Sequence, residues 1–194
     1  SVTEDFQGIL VHDHEITFYR YGSAHQECLA HVERYLKDSM ENEPSLTWNR
    51  RMRELLQRMI HYRKEHTGEA SLDTQTVAGF EAEYQEILDK AKEEYERNKP
   101  SPYYRDGYNL YRRMQEYKTE HLLFLHDMKV PTTNNTAERC LRDYKRKQTF
   151  AMTFRSLESI EELCHSKGVL LGVRKNNPNI YTAVMEIFNR RYGA

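Results

Sequence analysis

Three apolar stripes of helical period fill the middle of the chain and leave little choice of architecture. Trp48, Met52, Leu55, Leu56 and Met59 follow spacings of 4, 3, 1 and 3. Phe80, Tyr84, Ile87, Leu88, Ala91 and Tyr95 repeat the pattern, and Leu110, Met114, Tyr117, His121 and Leu125 do so again. Each stripe puts one apolar face on a helix of period 3.6. Helices with one such face bury it against one another, so the segment predicts a bundle. Turns are expected at Thr67-Gly68 and across Lys99-Pro-Ser-Pro102. With only 8 Gly and 5 Pro in 194 residues, few sites break a helix.

The flanks read differently. Gln7 to His12 is a short apolar run with β-branched residues, a strand pattern that ends at Asp13. A short helix is expected over Glu15 to Tyr21, stopped by Gly22, then a second strand over His25 to Cys28 and a helix from Leu29 to Met40. Beyond the bundle, Pro131 to Glu138 reads as a polar loop with Asn135 as a helix cap. Helices are expected from Thr136 to Lys147, from Leu157 to Arg174 behind Ser156, and from Asn177-Pro178 to Phe188. The fold class expected is mostly α with a small β element.

Charge is balanced overall, 29 Lys+Arg against 30 Asp+Glu, which excludes a uniformly basic nucleic-acid coat. It is segregated locally. Glu81 to Glu96 holds seven acids and two lysines, a pattern most simply explained as a solvated helix face. Asn134 to Arg155 holds six bases and two acids, and can meet phosphate. Mean hydropathy is −0.91, and no apolar run is long enough to span a bilayer. The N-terminus lacks a signal-peptide pattern. Three cysteines, Cys28, Cys140 and Cys164, make no disulfide framework. These features read as a cytoplasmic protein without a membrane partner.

Asp13, a carboxylate at the C-terminal end of a buried strand, sits where α/β sheets place ligands, and suits a divalent cation; the competing reading is an exposed Asp that starts a turn or caps a helix. Glu138 completes the spacing Asn135-x-x-Glu138 of a capping box, yet also heads the basic run Arg139, Arg142, Lys145, Arg146, Lys147. Cys28-x-x-His31 has the spacing of half a zinc site without an evident second half, so a buried thiol and a satisfied imidazole compete with it.

Taken in order, Leu10-Val-His-Asp13, Cys28-x-x-His31 and Thr133-Asn-Asn-x-Ala-Glu-Arg-x-Leu-Arg142 resemble the bacterial DDE transposases of insertion-sequence group sixty-six, over almost the whole chain. The resemblance implies a ribonuclease-H-like core interrupted by a helical insertion. It implies segments 1–42 and 129–194 of that core around an insertion at 43–128. Asp13 matches the family's second Asp and Glu138 its Glu, and with a first Asp they would hold two Mg²⁺ (or Mn²⁺) ions. That first Asp has no match here and is expected upstream of Ser1, so the core would be incomplete and the chain alone inactive. Cys28 and His31 match a motif that is a possible minor metal site. The activity implied is metal-dependent phosphodiester cleavage and strand transfer, with transposon ends and target DNA as partners, in a homo-oligomer. Asn134, Asn135, Arg139, Arg142, Lys145, Lys147 and Arg155 are the expected DNA contacts. The competing reading is a non-catalytic helical module that binds nucleic acid or protein through helix 136–147.

Overall fold

The computed structural model describes residues 5–150, 156–176, 179, 181, 182, 184–186 and 189, with side chains except at 143, 144, 147, 148, 150 and 176. It is mostly helical with one small sheet, as the patterning predicts. The chain divides into two compact units, 1–137 and 138–194.

The first unit begins with β1 (Ile9–His12) and β2 (Ala24–Glu27), joined through a 3-10 turn at Ile16–Arg20. The strands are parallel, with His12 opposite Glu27 and Leu10 opposite His25. Gly22 closes the connection at φ +77°, and a Cβ there would stand 2.7 Å from the Gly8 carbonyl oxygen. Only glycine meets both demands.

Helix α1 (Leu29–Asn42) follows β2 and buries Leu29, Val32, Leu36 and Ser39. Helix α2 (Trp48–Glu65) buries Trp48, Met52, Leu55, Leu56 and Met59, and α3 (Thr74–Arg97) buries Tyr84, Ile87, Leu88, Ala91 and Tyr95. These are the stripes read from the sequence. Gly68 takes φ +107° in the α2–α3 turn, and the Asp73 carboxylate accepts the Thr76 N–H at 2.8 Å to start α3. One apolar core joins the inner faces of α1 to α3 with those of the following helices.

The third stripe departs from the single helix expected. It is carried by two helices, α4 (Asp106–Glu116) and α5 (Lys118–His126), which break at Tyr117 (φ −110°, ψ 36°). The Tyr117 ring packs 4.8 Å from Tyr19 and 5.0 Å from His14, so contacts with the strand connection hold it outside the helical register. His121, on the same stripe, is fully buried although it is polar.

Helix α6 (Asn135–Phe150) crosses into the second unit, which also holds α7 (Leu157–Asn176). Asn135 is the first residue of α6 rather than the residue before it, so the expected cap lies one position too late. The helix expected up to Phe188 falls partly outside the described residues; those described at 181, 182, 184–186 and 189 are helical.

Candidate active site

Parallel pairing brings the C-terminal ends of β1 and β2 to one edge of the sheet, and Asp13 follows β1 directly. Its backbone is held on both sides. The Asp13 carbonyl accepts the Glu15 N–H at 2.8 Å and also takes a short hydrogen bond from His12 Nδ1. The half-buried Asp13 carboxylate makes no hydrogen bond or ion pair among the described residues. A hard, unpaired oxygen donor in this position is what a divalent cation such as Mg²⁺ takes.

Beside it lies a polar cluster gathered from the strand ends, their connection and two later helices. Glu27, at the end of β2, is 1% exposed. Its Oε1 accepts from His14 Nδ1 and from the Tyr19 hydroxyl, both at 2.6 Å. Its Oε2 faces His121 Nε2 at 3.3 Å and Arg113 Nε at 3.4 Å, at ion-pair distance but outside hydrogen-bond geometry. Burial by itself would raise the Glu27 carboxyl. The imidazoles of His121 and His14 and the Arg113 charge outweigh it and hold the group well below the carboxylate range. Glu27 is therefore a buried anion. Burial and the Glu27 charge push the Tyr19 phenol up, so it stays a donor.

The cluster continues through His12 and His25. With His12 Nδ1–H committed to the Asp13 carbonyl, a neutral His12 offers Nε2 as acceptor, and His25 Nδ1 meets it at 3.1 Å. Burial and the neighbouring His12 lower the His25 pKa. Tyr19 packs against both rings. Arg113 lies 4.9 Å over the Tyr35 ring and, with His14, Tyr35, Asp38, Tyr104 and Asp106, borders a cavity of about 540 Å³.

A signal for this cluster was present in the sequence. Short apolar strands that end in His-Asp-His and His-Gln-Glu place polar groups where burial is expected, and buried polar groups need partners. The partners Arg113 and His121 come from far along the chain, and no local spacing announces them.

The remaining candidates are distributed as follows. Cys28 is buried with a free thiol at the head of α1, where its backbone N–H donates to the His12 carbonyl at 2.7 Å. The His31 ring lies 6.5 Å from that of Tyr35, tilted by 37°. Among the described residues no group of three or more His, Cys, Asp or Glu side chains is gathered to hold a metal, so Cys28 and His31 gain no further ligands there. The Leu29 N–H donates to the Thr132 carbonyl at 2.9 Å, which anchors the start of the Thr133-Asn134-Asn135 block beside the strand ends. Asn134 is half-buried and Asn135 exposed. Glu138 stands in the first turn of α6, and Arg139, Arg142 and Lys145 are exposed along it. The Lys147 side chain and Arg155 lie outside the described residues.

The model of the transposase IS66 family matches residues 1–162. The chain belongs to the transposase IS66 family. Searches of curated proteins and of solved structures find no match. For a transposase of this family the coarse consequences are plain: DNA is the partner class and transposition the process. No described helix is long and apolar enough to cross a membrane. The α2 to α5 helices occupy the stretch between the first two motifs and the Thr133–Arg142 block.

Proposed function

We propose that this chain is the part of a DDE transposase catalytic domain that carries its second and third metal-binding carboxylates, Asp13 and Glu138. The observation that carries the reading is the half-buried Asp13 carboxylate, unpaired among the described residues, at the C-terminal end of a parallel strand in a chain of the transposase IS66 family. In this reading β1, β2 and α1 are a portion of a ribonuclease-H-like core, residues 43–128 the insertion, and 129–194 the returning part of the core. The reaction is phosphodiester cleavage and strand transfer at transposon ends, within a homo-oligomeric complex.

Asp13 and Glu138 would hold Mg²⁺ or Mn²⁺, together with the first Asp of the triad. When bound, a pair of such ions stabilises the attacking and leaving oxygens of in-line displacement at phosphorus. The chain's own residues supply position. β1 fixes the backbone of Asp13, and the Leu29–Thr132 hydrogen bond holds the Pro131–Thr133 segment of the first unit. Arg139, Arg142 and Lys145 would hold phosphodiester oxygens, Arg through paired N–H donors and Lys as a point charge. Asn134 and Asn135 would add neutral contacts at the head of the helix.

The exposed bases of α6 also support the alternative, a non-catalytic module that binds nucleic acid through this helix. Asp13→Asn in the full-length transposase separates the two. Lost strand cleavage with retained binding to transposon-end DNA is expected. Undiminished cleavage overturns the catalytic reading and leaves the binding module.

A further inference from the structure

We propose that Glu27 is a positioning residue for Asp13, and that it works by clamping the connection between the strands to the helices of the insertion. The inference rests on Asp13 being a metal ligand, and it concerns residues that the DDE triad does not include.

Its place in the sheet and four side-chain contacts carry it. Glu27 lies opposite His12 in the sheet, one residue from Asp13. Its Oε1 accepts from His14 and from Tyr19, which lie near and far along the connection that Asp13 opens, each at 2.6 Å. A single buried oxygen thus ties both ends of that turn. Its Oε2 faces Arg113 of α4 and His121 of α5. The same carboxylate therefore links the turn to the two helices that follow the acidic helix α3. His121 is locked from behind: its Nδ1 lies 3.4 Å from the Tyr84 hydroxyl, which donates to the Met114 carbonyl.

The arrangement has a physical consequence. Asp13 itself has no side-chain partner among the described residues, so only its backbone and neighbours set where its carboxylate points. Preorganised ligands hold an ion better than mobile ones, because ordering the turn then costs nothing when the ion arrives. Tyr117, at the α4–α5 break, packs its ring on both Tyr19 and His14 and closes the clamp from outside. The break in the third helical stripe is thereby part of the device.

The test uses the full-length transposase. Amide hydrogen exchange of the metal-free protein is followed at Glu15, Phe18 and Tyr21, whose N–H groups close the turn. His14→Ala and Tyr19→Phe each remove one donor at a position that is not part of the apolar core. Exchange at those amides should rise by about tenfold, the scale of removing one hydrogen bond to a charged group. Amides of α2 and α3 should keep their protection. The Mg²⁺ concentration for half-maximal cleavage should rise in the same variants while DNA binding stays unchanged. His14→Asn, whose amide nitrogen occupies the place of Nδ1, should restore both readouts.

Unchanged exchange in the turn, or an equal rise throughout the protein, overturns the clamp. So does a wild-type Mg²⁺ requirement in His14→Ala. Asp13→Asn run in parallel keeps the two ideas apart. An inactive Asp13→Asn beside an unaffected His14→Ala sinks only the positioning role, whereas an active Asp13→Asn sinks the reading on which it rests.

Discussion

The Glu27 carboxylate stands 3.4 Å from the Arg113 guanidinium, with 1% and 13% of the two side chains exposed. The Glu27 carboxylate has no water to fall back on, and the half-buried Arg113 has little. Truncation to Glu27→Ala would leave the half-buried Arg113 without its anion, and should destabilise the protein by about 2–4 kcal/mol, at or below the range for breaking a fully buried pair. The same pair predicts an acid response. In the unfolded chain this carboxyl titrates near its ordinary value of 4.5, and in the fold it is held lower. Its contribution is thus fully present above about pH 4.5. As pH falls further, the unfolded chain takes up a proton that the folded one refuses, and stability declines. Urea unfolding of wild type and Glu27→Gln, taken from neutral pH to about pH 3, should show a shallower acid decline in the variant. Parallel curves would mean that Glu27 is not the depressed group.

Helix α2 begins without a side-chain cap of its own. Glu94 of α3 supplies one across the bundle. Its Oε2 accepts the Thr47 N–H at 3.0 Å and the Trp48 N–H at 3.2 Å, and its Oε1 accepts the Thr47 hydroxyl. An anion at a helix N-terminus also complements the helix dipole. Glu94→Ala should cost about 0.5–2 kcal/mol. Glu94→Gln, which keeps an acceptor and loses the charge, should cost less. Denaturant midpoints of the two variants check the order, and equal losses would assign the effect to packing instead.

What could be read from the sequence follows the range of the interactions. The α2 and α3 stripes fixed their own helices, because Trp48 to Met59 and Tyr84 to Tyr95 bury at the spacing they show in the chain. The third stripe misled because Tyr117 continues the phase of Leu110 and Met114 although the helix breaks there. The rings of Tyr19 and His14 that hold it come from about a hundred positions away. Asp13 was legible as a strand-end carboxylate. Glu27 was not, since its meaning lies in Arg113 and His121, which only the fold delivers. The cap at Asn135 missed by a single residue, the ordinary scale of uncertainty for a helix boundary.

Gly107, buried in α4, faces the Glu43 side chain. A Cβ at this position would lie 1.7 Å from Glu43 Oε2 and 2.9 Å from Ser39 Oγ. The Glu43 carboxylate cannot simply swing aside, because it accepts from the Tyr95 hydroxyl at 3.0 Å and from Ser39 Oγ at 3.1 Å. Gly107→Ala gains helix propensity of about 0.5–1 kcal/mol. The forced displacement outweighs that gain, and a net loss of about 1–3 kcal/mol is expected. Combining it with Glu43→Ala should recover part of the loss, which a double-mutant cycle measures. Additive effects would show that the crowding lies elsewhere.

Arg139, Arg142 and Lys145 are exposed on one helix that carries little apolar surface, so their substitution should leave folding intact and report on DNA directly. If they meet backbone phosphates, each releases condensed counterions on binding. Replacing all three by alanine in the full-length transposase should then weaken binding to transposon-end and unrelated duplexes alike. The slope of log K against log salt should become shallower by about 0.9 for each phosphate that is no longer neutralised. Fluorescence anisotropy over a salt series reads both quantities. A selective loss on transposon-end DNA would instead make these side chains readers of base sequence. An unchanged slope on both duplexes would remove α6 from the DNA interface, and with it the reading of its basic run as a phosphate-binding face.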